Sequence, residues 1–407
     1  MAGRPPQTVP LKVDAVGYDR YDISGVHRQS LVTSLSFSMD GLHLAGCCQS
    51  GMVRLYDVQS AMLRETLQAK DGARVPHVAR FTHSSGLLCA ALTCSNPSSP
   101  DVHVAFLSTH TGQVVHSVAL AGSIGAMPPA VHAVCQSPTN DVVAVCNGGG
   151  RALELVHPLM KTVVARTAPG SFHSTCTTAA FSPSGNTLAI GDGMQLALYD
   201  WRMLLGGPLL VKDMTSTFTL GALSKKILAS KSQSSSTSSF HLVELNYIVS
   251  VDFGARFVLV TTAQGHTVLL DGVSEDFPIV KDYYTDTLSM SFCPHTLISF
   301  PSSPSSTPHA PDTELLSTNI ACCGSHFIDA DETNEFPYFV QGSVKLPLTK
   351  HSCAPLLVFE GRQSLKFVLE PRDVGITRCI AVNPRFAVFA SASRMLNWWG
   401  VPEKATS

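Results

Sequence analysis

The sequence predicts an all-β fold, a seven-bladed propeller, from three observations. A unit of three short strands and two tight turns recurs at spacings of roughly forty residues, the period of a propeller blade. Apolar residues alternate within each unit at the strand period, as Leu35 and Phe37 do, which rules against amphipathic helices. The last unit is one strand short, and a strand-like stretch at the N-terminus can complete it.

That stretch is "VGYDRYDIS", Val16 to Ser24, expected as the outer strand of the last blade. Blade one follows as "VTSLSFSMDGLHLAGCCQSGMVRLYDV", Val32 to Val58, with the order strand, Asp-Gly turn, strand, Ser-Gly turn, strand, Tyr-Asp. Blade two spans Pro76 to Val118 and blade three His132 to Pro158. Blade four contains the clearest copy, "FSPSGNTLAIGDGMQLALYD", Phe181 to Asp200, in which Ser184-Gly185 supplies the first turn. Blade five spans Asn246 to Gly272. Blade six is expected to start at "TLSMSFCP", Thr287 to Pro294, with later strands displaced to "PLLVFE" and "LKFVLE" between Pro355 and Glu370. Blade seven runs from Ile376 to Gly400 and stops at its third strand.

The expected organisation is therefore one propeller over 1–400 and a C-terminal tail over 401–407. A serine-rich tract at 224–240 cannot bury enough apolar surface to order itself and reads as a loop between blades four and five. Two blade-six insertions are expected at 300–316 and 324–351, the second carrying acidic residues and aromatics.

Charged residues make up only 14 % of the chain and the formal net charge is -2, so the broad basic field of nonspecific nucleic-acid binding is absent. No direct sequence-specific nucleic-acid binding is expected. The opening "MAGRPPQTVP" has no apolar signal core, and no stretch reaches the roughly 18 apolar residues of a membrane span. The chain reads as soluble, not secreted and without a membrane partner. Six of the 12 cysteines (Cys47, Cys89, Cys146, Cys176, Cys293 and Cys379) sit in or beside apolar strands, which suits reduced, structural thiols. The vicinal pairs Cys47-Cys48 and Cys322-Cys323 would point to opposite strand faces, poor geometry for zinc.

No chemical constellation emerges, and neither cofactor nor metal is expected. The 16 histidines form no metal-ligand spacing. "CNGGGRALEL", Cys146 to Leu155, lacks the Gly-Lys-Ser/Thr ending of a phosphate loop and reads as a hairpin turn. Asp22, Asp57, Asp200 and Asp271 recur near strand ends, as carboxylates that accept turn hydrogen bonds do, whereas a catalytic pair would occupy unique positions. Trp398 and Trp399, adjacent on a strand, offer one ring for a ligand and one for packing. Arg28, Arg74, His77 and Arg378 lie near the starts of first strands, which a propeller brings to one face. They are the candidates for peptide or partner binding, with a phosphorylated peptide as one ligand and a solvated rim as the plain alternative.

The segments "VTSLSFSMDGLHLAG", "VRLYDV", "RFTH" (Arg80 to His83), "LALYDWR" and above all "GITRCIAVNPRFAVFASASRMLNWWG" carry a family resemblance. The chain resembles the WD40-repeat subunit shared by COMPASS-type histone H3 lysine-4 methyltransferases and by nuclear assemblies containing protein phosphatase 1 or the cleavage and polyadenylation machinery. The resemblance implies a noncatalytic scaffold in the nucleus. Its implied partners are the phosphatase 1 catalytic subunit with its nuclear regulatory scaffold, or SET-domain methyltransferase subunits, together with phosphorylated C-terminal repeats of RNA polymerase II. The matching motifs are blade-forming residues and carry over no ligand-binding residue. A general WD40 adaptor in a ubiquitin ligase or trafficking complex, and a propeller enzyme, are the alternatives.

Overall fold

A computed structural model describes residues 18–20, 32–68, 74–94, 102–122, 131–148, 150–168, 170–172, 176–217, 247–254, 256–262, 266–274, 276–283, 325–327, 338–342, 356–360, 365–369, 377, 379–386, 388–392 and 395–400. Strand β1 (Tyr18–Arg20) stands apart from the units that follow. Blade one comprises β2 (Val32–Phe37), β3 (His43–Cys48), β4 (Met52–Asp57) and β5 (Leu63–Gln68). Blade two comprises β6 (Arg74–Phe81), β7 (Leu87–Cys94), β8 (His103–Ser108) and β9 (Val114–Ala119). Blade three holds β10 (Val131–Gln136), β11 (Val143–Asn147), β12 (Ala152–His157) and β13 (Thr162–Arg166), and blade four holds β14 (Cys176–Phe181), β15 (Thr187–Asp192), β16 (Gln195–Asp200) and β17 (Leu210–Asp213). Then come β18 (Ile248–Phe253), β19 (Phe257–Thr262), β20 (Thr267–Asp271) and β21 (Ile279–Asp282), followed by β22 (Ser325–Phe327), β23 (Tyr338–Gly342), β24 (Leu356–Glu360) and β25 (Leu365–Leu369). The chain closes with β26 (Cys379–Val382), β27 (Val388–Ala392) and β28 (Met395–Gly400).

Six four-stranded sheets are each continuous in sequence, and a further four-stranded sheet is composite, with the order β1-β28-β27-β26. Its edge strand comes from the other end of the chain: Tyr18 pairs with Asn397 and Arg20 with Met395, antiparallel. The first strands of successive sheets touch one another in turn, and β26 touches β2, so the sheets form a closed ring around an axis. Closure removes the two open sheet edges that a linear array would expose.

Burial follows from this arrangement. A strand with blades on both sides is covered on both faces, so β19 (FVLVTT) is buried throughout, whereas the outermost β13 (TVVAR) is buried on neither face. The core consequently lies between blades. One cluster joins Leu35, Phe37 and Tyr56 of blade one to Ala390, Leu396 and Trp398 of the composite blade. Another joins Ala45, Cys47 and Val53 of blade one to Phe81, Leu88 and Ala105 of blade two. Cys47 and Cys48 accordingly face different cores, as neighbours on a strand must. Trp398 meets Phe37 and Tyr56 edge-on, with ring centroids at 6.1 Å and 6.4 Å.

The turn between β26 and β27 locks the ring. Asn383 Nδ2 donates to Gly41 O at 2.8 Å, and its Oδ1 accepts from the backbone of Arg385 and Phe386. Arg385 Nε donates to Met39 O at 3.1 Å. Gly41 has φ of 73°, and a Cβ there would sit 2.5 Å from Asn383 Oδ1, so glycine is required both by the turn and by the neighbouring blade. The "VNPRF" segment of the terminal motif is thus the clasp between the last blade and the first.

Two expectations are corrected. The 324–351 stretch is not wholly an insertion: it supplies β22 and β23, the first two strands of their sheet, with Phe339 and Val340 buried. These strands are only 3 and 5 residues long and are separated by an acidic segment, so no strand-length alternation marks them. Neither Trp398 nor Trp399 offers an exposed ring. Trp399 is buried on the opposite face, stacked on Phe389, and donates Nε1–H to Ser391 Oγ at 2.8 Å. Thr287 to Pro294, the 224–240 tract and the 300–316 stretch lie outside the described residues.

Deleting residues 1–24 removes β1 and should lower the thermal midpoint of the whole ring by several degrees in a single transition, followed by circular dichroism. Asn383→Ala removes three hydrogen bonds, each worth about 1 kcal/mol net, and should lower stability in urea titration by about 2–3 kcal/mol. A loss under about 0.5 kcal/mol would show that the clasp is incidental.

Candidate interaction surfaces

The up-and-down course of each blade puts the start of its first strand and the turn between its second and third strands on one face of the ring. On that face, between blades two and three, His77 of β6 forms a 2.8 Å hydrogen bond from Nε2 to Val131 O of β10. Burial pushes the His77 pKa below its ordinary value, with the hydrogen bond opposing. The neighbouring His132 is held low as well, by desolvation of its ring first and by His77 second.

The "CNGGG" segment is the β11–β12 hairpin, as its composition suggested. Asn147 Oδ1 accepts from Gly150 N at 3.0 Å, and Asn147 Nδ2 donates to Ala121 O at 2.8 Å and Glu154 Oε1 at 2.9 Å. Gly148 leaves room for His132, whose Nε2 would be 2.0 Å from a Cβ at that position. Glu154 is fully buried; its Oε1 also accepts from Ala121 N, and Arg166 lies 3.7 Å from its Oε2. This constellation fastens loop 121–122 to blade three.

Of the four sequence candidates, His77 is committed to holding β6 against β10. The backbone of Arg74 pairs in register with Cys94, while Arg28 and Arg378 lie outside the described residues. The structure does not bring the four together as one described site.

The recurrent aspartates accept turn hydrogen bonds. Asp57 Oδ1 accepts from Ser60 N and Oγ, and Asp271 Oδ1 accepts from Val273 N. Asp200 takes both Arg202 N and the Arg202 guanidinium, capping a short 3-10 helix, Trp201–Gly206. Those bonds, and for Asp271 first of all the Arg256 guanidinium that donates to its Oδ2 at 3.2 Å, hold all three carboxyls below the usual carboxylate range. Asp22 lies outside the described residues.

The 3-10 helix, packed beside β13, creates a surface that the sequence reading missed. Met203, Leu205 and Leu209 are 67 %, 83 % and 69 % exposed, and Leu159 and Met160 project from the β12–β13 turn of the adjacent blade. Beside them a cleft of about 200 Å³ runs between blades three and four, walled by Phe172, Ala197, Tyr199, Leu204, Leu205 and Val211. The signal was the apolar run "WRMLLGGPLLV", Trp201 to Val211, where a polar hairpin turn was due.

Among the described residues no three His, Cys, Asp or Glu side chains gather into a metal-binding group, and no helix is long and apolar enough to cross a membrane. Cys47, Cys48, Cys89, Cys135, Cys146 and Cys379 are free thiols.

Sheet architecture and pairing define an all-β propeller, and the family match that follows points to the WD40 type, whose members are typically noncatalytic scaffolds working through protein–protein contacts. Residues 18–86 match the family model of the anaphase-promoting complex subunit 4 WD40 domain. The matched stretch runs from β1 through blade one into the β6–β7 turn. A comparison with curated proteins returned no match.

Because the folded pKa of His77 is depressed, its contribution to stability is complete above the unfolded value near 6.5 and falls as pH drops through that value; His116 and His132 act with the same sign. The urea midpoint should therefore decline between roughly pH 7.5 and 5.5. His77→Gln, whose amide can still donate to Val131 O, should show a shallower decline, and equal slopes in the two proteins would exclude His77 as a contributor.

Proposed function

We propose that this propeller is a noncatalytic nuclear scaffold in an RNA polymerase II-associated assembly. The assembly is either a protein phosphatase 1-containing complex acting in transcription termination or a COMPASS-type histone H3 lysine-4 methyltransferase complex. The observation that carries the scaffold reading is the apolar sector on blades three and four, where exposed aliphatic side chains surround a cleft on a domain with a complete core of its own. The choice of complex and of the nucleus rests on the sequence resemblance, strongest in the terminal blade. Arg28, Arg74 and Arg378 remain the proposed contacts for a phosphorylated partner such as the polymerase C-terminal repeats.

A second reading is favoured by the match over 18–86: an adaptor in another multisubunit assembly, of the kind represented by the anaphase-promoting complex. A ubiquitin ligase or trafficking complex is the corresponding partner class.

Affinity purification of the tagged chain from nuclear extract, with and without phosphatase treatment, separates these readings. The phosphatase 1 catalytic subunit with its regulatory scaffold supports termination, a SET-domain methyltransferase supports chromatin marking, and a ligase or coat complex supports the second reading. Leu205→Asp combined with Leu209→Asp alters only exposed positions and should lower recovery of the principal partner at least tenfold, a loss of about 1.4 kcal/mol or more in binding, while leaving the melting curve unchanged. Unchanged recovery of every partner would remove the apolar sector as the docking surface.

A further inference from the structure

We propose that Arg80 is an oxyanion-binding group in the central channel, placed to receive the acidic side chain of a peptide segment. The site goes beyond the reading above, because Arg80 belongs neither to the apolar sector nor to the group Arg28, Arg74 and Arg378. It lies one residue before the end of β6, toward the face carrying the turns between first and second strands, opposite to the face on which Arg74 begins the strand.

Arg80 Nη1 donates to Leu35 O of blade one. A guanidinium has five N–H donors, so this bond leaves most of its capacity open. The side chain is half-buried, and none of its nitrogens is both buried and without a partner. The charged or titratable groups acting on it among the described residues are three thiols from three other blades, Cys379, Cys135 and Cys47. Burial pushes the thiols of Cys47 and Cys135 up to about 12, so these two are neutral near pH 7 and do not offset the guanidinium charge. The Asp252 carboxylate in β18 is engaged by backbone donors: its Oδ2 accepts from Phe327 N at 2.9 Å and its Oδ1 from Phe253 N.

Joining blade one to blade two does not require a cation. Ser34 and Ser36 make equivalent joints with hydroxyls: Ser34 Oγ accepts from Ala79 N at 3.0 Å and Ser36 Oγ from Phe81 N at 3.1 Å. A neutral donor at position 80 would serve Leu35 O equally well. What arginine adds is a desolvated positive charge with spare, planar donors, the arrangement that binds carboxylate or phosphate through charge-assisted bonds. A free inorganic oxyanion could meet the same donors, and the experiment distinguishes the two sources.

The full-length chain would be modified with phenylglyoxal and Arg80 followed by peptide mass mapping, alone, with inorganic phosphate, and with a short phosphoserine peptide, all at matched ionic strength. The expected result is labelling of Arg80 that both anions suppress, the peptide at tenfold or more lower concentration. Suppression by phosphate alone would assign the site to a small inorganic ion and overturn the peptide. Labelling unaffected by either anion would overturn the site. In parallel, Arg80→Gln, which keeps a donor for Leu35 O, should bind the fluorescein-labelled peptide at least tenfold more weakly than wild type by anisotropy, and equal binding would also overturn the proposal. These readouts require no partner complex, so they can fail while the scaffold reading stands, and the reverse.

Discussion

The first strand of each blade has one sheet neighbour, and its other edge faces the axis of the ring. Peptide groups on that edge are half-enclosed and have no strand to pair with, and each one left unmet would cost about 1–3 kcal/mol. The protein meets them with side chains from adjacent blades. Ser34, Ser36 and Arg80 join blades one and two, His77 joins two and three, and the Asp252 carboxylate takes Phe327 N between the sheets of β18 and β22. Cys379 Sγ reaches Val32 O across the closure. The relative position of the blades, and hence each interblade core, depends on this set of edge contacts.

Closure adds a second set on the rim. Asn383 and Arg385 fix the turn of the last blade to the turn of the first, and Gly185 approaches the Thr139 side chain so closely that a Cβ would lie 2.0 Å from its Oγ1. Neighbouring turns are thus fitted to one another. Loops and outer strands are free of this requirement. The 3-10 excursion on blade four is held by Asp200 and Arg202 and buries only Leu204, so its exposed residues can change without disturbing the ring.

Much of this was legible in the sequence, for definable reasons. Alternation and Gly-containing turns marked the hairpins, the missing strand of the last unit pointed to β1, and Tyr-Asp marked third strands whose tyrosine is buried and whose aspartate caps a turn. Other features depend on neighbours distant in sequence. Adjacent residues on a strand face opposite sides, but within a four-stranded blade both sides can be interior, which is why Trp398 and Trp399 are both buried. His77 looked like a rim residue because its partner, a backbone carbonyl of the next blade, leaves no sequence signature. Strands β22 and β23 were hidden because in so short a strand ladder bonding and a few buried residues, Phe327, Phe339 and Val340 among them, do the work that a periodic pattern does elsewhere.

The same division indicates where function can reside. A side chain that only satisfies a neighbouring edge can be small and neutral, as Ser34 and Ser36 are, and its chemistry is exhausted by that bond. Arg80 carries more charge and more donors than its joint uses, and Leu205 and Leu209 carry more apolar surface than the core uses. Such surpluses are expensive to keep in water or in a channel unless a partner makes use of them. They lie at opposite radii of the ring, one at the axis and one at the periphery, so a partner anchored on blades three and four would leave the channel open for a second segment. A rigid ring that holds two independent surfaces at fixed separation is suited to bringing two polypeptides together.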